Sequence, residues 1–314
     1  MTASPRVVVC GETVVDLVQS GSRSWTSHPG GSPANVAVGL ARLSVPVAML
    51  ARLSGDAFGG MLREHLRDAG VDLGLAVAAQ EPSTLAVASL DAAGVATYDF
   101  WVEGTADWQW ADGELPERLP DAVRALHTGS MALEVEPGAS RVRALLQRVH
   151  GQVLVSYDPN VRLARRGDRE VGLAAVEQVV ALADVVKVSS EDLDWLLPGT
   201  PVEDVLRRWR ALGPALVVVT TGGDGAVGLA GGGPVRVPVP PVQVVDTVGA
   251  GDAFSAGLLA GLADAGLLER AALEQAPDAA LTEVLTLAAR VASITCTRPG
   301  SDPPTREELH AAVR

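Results

Sequence analysis

Lysine is almost missing from this chain of 314 residues: Lys187 is the only one, and arginine fills the rest of the 25 basic positions. That skew reads as a composition bias and by itself names no function. No long basic run occurs and the net charge is −13. Nucleic-acid backbones and anionic membranes reward basic patches, so neither is expected as a partner. Cysteine is limited to Cys10 and Cys296, each in an apolar segment and neither at metal-ligand spacing, which excludes a disulfide framework and fits a reduced, cytoplasmic protein. No segment approaches about 18 uninterrupted apolar residues, and Met1 to Pro5 carries no basic region ahead of a long apolar run. A secreted or membrane-spanning chain is therefore not expected. A Walker-A glycine loop ending in Lys-Ser/Thr is absent too, which excludes a phosphate site of that kind.

What is present is material for a core, with 47% hydrophobic and 20% charged residues, enough for one large α/β domain. Short apolar runs at Val7 to Cys10, Val47 to Leu50, Leu126 to Thr128, Val153 to Tyr157, Val185 to Val188 and Leu216 to Thr220 read as strands buried on both faces. The segments Asn35 to Leu43, Phe58 to Ala69, Ala139 to Val149, Glu170 to Leu182 and Val202 to Leu212 suit crossover helices, which predicts a doubly wound, mostly parallel central sheet. Asp56 and Ser190 read as helix N-caps.

Ser83 to Trp101 breaks the rhythm: it alternates, turns at Asp91 to Gly94, and resumes, which predicts a hairpin. With the extended stretch Thr13 to Gln19 it forms a small sheet standing off the core, a lid from insertions at about 12–27 and 83–110; the alternative is a continuation of the main sheet. No internal repeat is present, and Gly231 to Pro241 reads as a strand connection and not a linker, so residues 1–314 read as a single domain.

The segment Val244 to Phe254 runs from a strand through Gly249-Ala250-Gly251 into a helix whose first residue is Asp252. Unpartnered amides at a helix start favour an anion, glycines let a phosphate approach, and Asp252 stands where a hydroxyl could lose its proton. The helix start would hold the pKa of Asp252 low. Gly30-Gly31 precedes a second helix with Asn35 on its first turn, and Asp16 lies upstream. A carboxylate and an amide beside paired glycines suit vicinal sugar hydroxyls.

Together, Gly30-Gly31-x-x-x-Asn35 and Asp246-Thr247-x-Gly249-Ala250-Gly251-Asp252 resemble the two signatures of the PfkB, or ribokinase-like, carbohydrate kinase family, over about Val7 to Pro303. The resemblance implies that Asp252 is the base and that Gly249, Ala250 and Gly251 form an anion hole. It also implies that Asp16, Gly30, Gly31 and Asn35 hold the sugar. Asp158-Pro-Asn160-Val-Arg162 looks like the segment that brings an arginine to substrate and phosphate, with a surface salt bridge as the alternative. Thr220, Gly222, Gly225, Ser189 and Thr247 fall on the nucleotide side. Where many relatives carry Asn-x-x-Glu toward magnesium-bound water, this chain has Ser189 and Asp192; Asp246 and Ser301 match a monovalent-cation loop. ATP, Mg2+ and K+ are the implied small molecules besides the sugar.

The stretches Phe100 to Asp107 and Val155 to Asn160 look most like fructokinases, favouring fructose, while ribose, 2-keto-3-deoxygluconate and nucleosides stay open. Ser83 to Trp110 contains no lysine or arginine, which argues against a phosphosugar. Trp101, Trp108 and Trp110 could stack on a sugar or simply be packed. Exposed strand edges and aromatics in the lid, with the same resemblance, suggest a homodimer through the lid, a monomer being the alternative. A catalytically silent sugar sensor is the non-enzyme alternative. A dinucleotide oxidoreductase is disfavoured because Gly11 to Asp16 lacks the three-glycine turn.

Overall fold

Strand Val7–Cys10 shows how the fold is organised: Val7 and Val9 enter one hydrophobic cluster, Val8 and Cys10 another on the opposite face. Alternate side chains of a strand point to opposite faces, so a strand apolar at every position must be covered on both. The computed structural model describes residues 6–21, 23–90, 96–163 and 167–311. Six strands run parallel in the order Val47–Leu50, Val7–Cys10, Ala125–Gly129, Leu154–Asp158, Val185–Ser189, Leu216–Thr220. Ala226–Leu229 and Val235–Val237 extend the sheet antiparallel to one edge. The second of these lies inside the segment read as a connection. It is a three-residue edge strand followed by prolines, too short to show a period.

One face carries helices Ser32–Arg42, Ala250–Asp264 and Asp278–Thr295. The middle one is buried from Asp252 through Ala263 and apolar all round, as a helix enclosed by neighbours must be. Small residues let the others come close. A Cβ on Gly39 would lie 2.6 Å from Ala256 Cβ, and one on Gly257 would lie 2.8 Å from Ala288 Cα. Helix Asp278–Thr295 has no counterpart in the sequence reading. Among the described residues no helix is long and apolar enough to cross a membrane.

The predicted lid is a separate four-stranded sheet in the order Ser24–Gly30, Val14–Gly21, Thr84–Leu90, Ala96–Trp101. Its turn at 91–94 lies outside the described residues. The strand Ser24–Gly30 is additional: Gly30 ends it and Gly31 caps the following helix at φ 98°. Val15, Leu53 and Leu62 pack under one lid face. Asp56 caps helix Ala57–Asp68 as predicted, accepting from Gly59 N at 2.7 Å, and it also accepts from Ser83 N at 2.8 Å where the lid begins. Two boundaries shift by one or two residues. Ser189, not Ser190, caps helix Ser190–Leu196, and Gly249 caps helix Ala250–Asp264, which makes Asp252 its third residue.

Candidate active site

The loops after Cys10, Asp158, Ser189 and Thr220 all leave the carboxyl ends of the parallel strands, where open α/β sheets gather their ligands. The start of helix Ala250–Asp264 enters the same region. The close packing at Gly39 and Ala256 aligns this helix with Ser32–Arg42, so that Ser32 Oγ donates to Asp252 Oδ1 at 2.6 Å and Asn35 Nδ2 donates to Oδ2 at 2.8 Å. Asp252 is only 8% exposed. Burial raises its pKa above the ordinary carboxylate value, opposed by the two hydrogen bonds and by the charges of Lys187 and Arg162. The expectation of a low value is thus corrected: desolvation outweighs what favours the charged form.

Gly249 turns at φ 75°, in the left-handed region, with Ser301 packed where a side chain would go. Among the described residues the amides of Gly249, Gly251 and Asp252 hold no hydrogen-bond acceptor, while Ala250 N donates to Thr247 O at 3.2 Å. The amides left open at this helix start are therefore those of Gly249, Gly251 and Asp252, where the sequence reading grouped Gly249, Ala250 and Gly251. Asp246 ties the neighbouring loops together by accepting from Val248 N at 3.0 Å and Gly300 N at 2.8 Å. That contact brings the two segments expected around a monovalent cation, Asp246 and Ser301, side by side.

Opposite Asp252, Asp16 stands on the inner lid face in one row with His28, Ala86 and Phe100. Burial pushes its pKa to about 6, with His28 opposing and the Asp252 carboxylate adding to the rise. Gly30 lies directly beneath the Asp16 carboxylate, where a side chain would displace it, and a Cβ on Gly31 would sit 2.7 Å from Glu12 O, so Gly31 accepts no side chain. Arg162 is exposed, with its backbone N–H held by Glu134 Oε1 at 3.1 Å, and its charge reaches both Asp252 and the lid's Tyr98. Of the three tryptophans considered, Trp108 and Trp110 are buried in packing, and Trp101 is 64% exposed beside Leu85 on the other lid face. The aromatic near the site is Tyr98, stacked on Phe100 with ring centroids 6.2 Å apart.

Of the residues expected on the nucleotide side, Gly222 is open at φ 56°, Gly225 turns at φ 105° against Val237, and Thr247 is exposed. Thr220 ends its strand, with Oγ1 3.5 Å from Val188 O. Ser189 and Asp192 are engaged with each other: Ser189 Oγ donates to Asp192 Oδ2 at 2.8 Å and caps Asp192 N at 3.0 Å. Asp192 Oδ1 accepts from Val161 N at 3.1 Å. Asp192 Oδ1 thus helps to hold the segment leading to Arg162, while Oδ2 is engaged by Ser189. Among the described residues no three His, Cys, Asp or Glu side chains converge as a metal cage.

Residues 4–308 match the family described as pfkB family carbohydrate kinase. The chain belongs to that family. It is 38% identical over 282 residues to a fructokinase of Klebsiella pneumoniae, covering 88% of this chain and 91% of the relative. The crystal structure of a Vibrio cholerae O395 fructokinase in its fructose, ADP and calcium ion bound form superposes with a TM-score of 0.84 at 30% identity, over 99% of each chain. Aminoimidazole riboside kinase from Salmonella enterica, complexed with aminoimidazole riboside and an ATP analogue, superposes at 0.82 with 28% identity, over 98% of this chain and 99% of that one.

This carbohydrate kinase holds more around its site than its motifs announce. Ser32 was missed although it shares a helix face with Asn35, three positions on. Tyr98 could have been found from its period-2 relation to Phe100. The buried pair Lys187 Nζ to Asp158 Oδ2 at 2.9 Å was signalled by a lone charge in an apolar strand, which demands a partner.

Proposed function

We propose that this kinase transfers the γ-phosphoryl group of ATP to a primary hydroxyl of fructose. The observation that carries this reading is the position of Asp252, with Ser32 and Asn35 on one side and the open amides of Gly249 and Gly251 on the other. In the transfer the sugar oxygen forms a bond to the γ-phosphorus as its proton passes to Asp252. The bond from that phosphorus to the β,γ-bridging oxygen breaks, and its electron pair leaves with ADP. Charge spread over the moving group is met by the helix-start amides. Asp16, Gly30, Gly31 and Asn35 form the sugar wall. Arg162 offers a planar fork to sugar or phosphate, and Thr220, Gly222, Gly225 and Thr247 border the nucleotide.

A divalent ion such as Mg2+ would neutralise phosphate oxygens when bound. With no carboxylate cage among the described residues, the nucleotide would supply most of its ligands. Asp246 and Ser301 are the residues we assign to a monovalent cation such as K+. We read residues 1–314 as one kinase domain in the cytoplasm, with both cysteines free. The exposed Trp25 and Trp101 of the lid are a surface for a homodimer.

A second reading, a nucleoside acceptor, is favoured by the likeness to aminoimidazole riboside kinase. ADP release measured over fructose, ribose, 2-keto-3-deoxygluconate and a nucleoside, with magnesium and with or without potassium, separates these readings. Fructose is expected to give the highest kcat/KM; a higher value for another acceptor reassigns the substrate.

A further inference from the structure

The chain's only lysine ends against the phosphate cradle. Lys187 projects from strand Val185–Ser189 with its side chain 5% exposed, and its ammonium is held by Asp158 Oδ2 at 2.9 Å. Ser255, one turn along the helix from Asp252, donates to the same oxygen at 3.1 Å. A Cβ on Gly251 would lie 3.0 Å from Lys187 Nζ, so the ammonium sits directly behind the amides that face the anion. Asp158 Oδ1 is buried without a partner, which leaves the pair fixed by one oxygen only.

Every other basic residue in this chain is arginine. A guanidinium is a broad planar fork, whereas an ammonium is a compact point charge, and it is an ammonium that stands behind Gly251.

We propose that Lys187 is a positioning residue of the phosphoryl transfer: its ammonium, pinned by Asp158 behind Gly251, keeps Asp252 charged and draws the phosphoryl oxygens onto the helix start. This rests on Asp252 being the base. The charged groups facing Asp252 are Lys187 and Arg162, with Asp16 across the site and Asp158 behind it; Asp192 in turn faces Asp158. His127, behind Lys187, is driven to about 3 by burial and by that ammonium, so it is neutral at working pH. Ser32 and Asn35 are uncharged. Lys187 and Asp158 therefore act on Asp252 with opposite sign.

The test is the acidic limb of the pH–rate profile in Lys187→Met and Asp158→Asn, with folding checked by thermal melting. Lys187→Met is expected to move the limb up by about one pH unit. Its plateau kcat falls by about 10-fold, less than the roughly 10²-fold for losing a direct oxyanion donor. Asp158→Asn leaves the ammonium uncompensated and moves the limb down. A residue with only a packing role would lower the melting temperature and move neither limb. Limbs that stay in place, or that move in the same direction, overturn the proposal. If Lys187→Met does not fold, the direction of the limb in Asp158→Asn decides alone. Full turnover in Asp252→Asn would instead remove the base assignment, a failure distinguishable from limbs that do not separate.

Discussion

Asn35 Nδ2 and Asp252 Oδ2 lie 2.8 Å apart although 217 positions separate them in the chain. In the proposed mechanism the contact joins the sugar wall to the base. Asp252→Asn is expected to lower kcat by about 10²-fold or more while leaving sugar and nucleotide affinity broadly intact. Asn35→Ala removes a hydrogen bond to a buried carboxylate and is expected to cost about 10-fold or more in kcat/KM. Steady-state kinetics over both substrates check this pair, and unchanged turnover in Asp252→Asn would remove it from the mechanism.

As part of the proposed sugar wall, Asp16 should give sugar binding its own pH dependence. Burial places its pKa at about 6, with His28 opposing and Asp252 reinforcing the rise. As an acceptor of sugar hydroxyls it works best ionised, so KM for the sugar should climb as pH drops through about 6 and level off above 7. Asp16→Asn should raise KM by about 10-fold or more and flatten that dependence. A variant whose KM still follows the wild-type pH curve would show that another group titrates.

The parallel strands are legible because burial on both faces leaves nothing but apolar residues in Val7–Cys10 or Leu216–Thr220, and two-sided burial needs helices around them. Asp252 and its glycines are legible because helix starts and tight turns restrict residue choice locally. Ser32, Tyr98 and Lys187 each carry a local hint, but the partners that Ser32 and Lys187 find, Asp252 and Asp158, are set by long-range contacts that no local pattern names. The same reason hid the engagement of Asp192 by Val161 and Ser189, which ties the expected magnesium-side residue to the Arg162 segment. Val235–Val237 escaped because a three-residue edge strand among prolines carries no period.

Gly39 tests how packing builds the site. A Cβ there meets Ala256 Cβ at 2.6 Å, so a larger side chain must push helix Ser32–Arg42 away from Ala250–Asp264. Gly39→Val is expected to destabilise the fold by about 1–3 kcal/mol through overpacking. It should also lower kcat, since Ser32 and Asn35 ride on the displaced helix. Denaturant unfolding and kinetics on the same preparation check both effects, and full activity at reduced stability would uncouple the helix spacing from the base.

Glu12 offers a stability test independent of turnover. It is 1% exposed, with Oε2 accepting from Ala132 N at 3.1 Å and Oε1 buried without a partner. Burial is the main cause that lifts its pKa from 4.5 to about 8, against the hydrogen bonds it accepts. The unfolded chain releases this proton near 4.5, so between there and about 8 the folded state binds more protons than the unfolded one. Stability falls as pH rises through that window, by up to about 1.4 kcal/mol per pH unit from this group. Glu12→Gln stays neutral throughout and can still accept from Ala132. The melting temperature of the variant relative to wild type should therefore rise from pH 5 to pH 8, whatever the other carboxyls contribute to both proteins. A constant difference across that range would mean that Glu12 is ionised in the folded protein, and that the linker between Cys10 and the lid tolerates a buried charge.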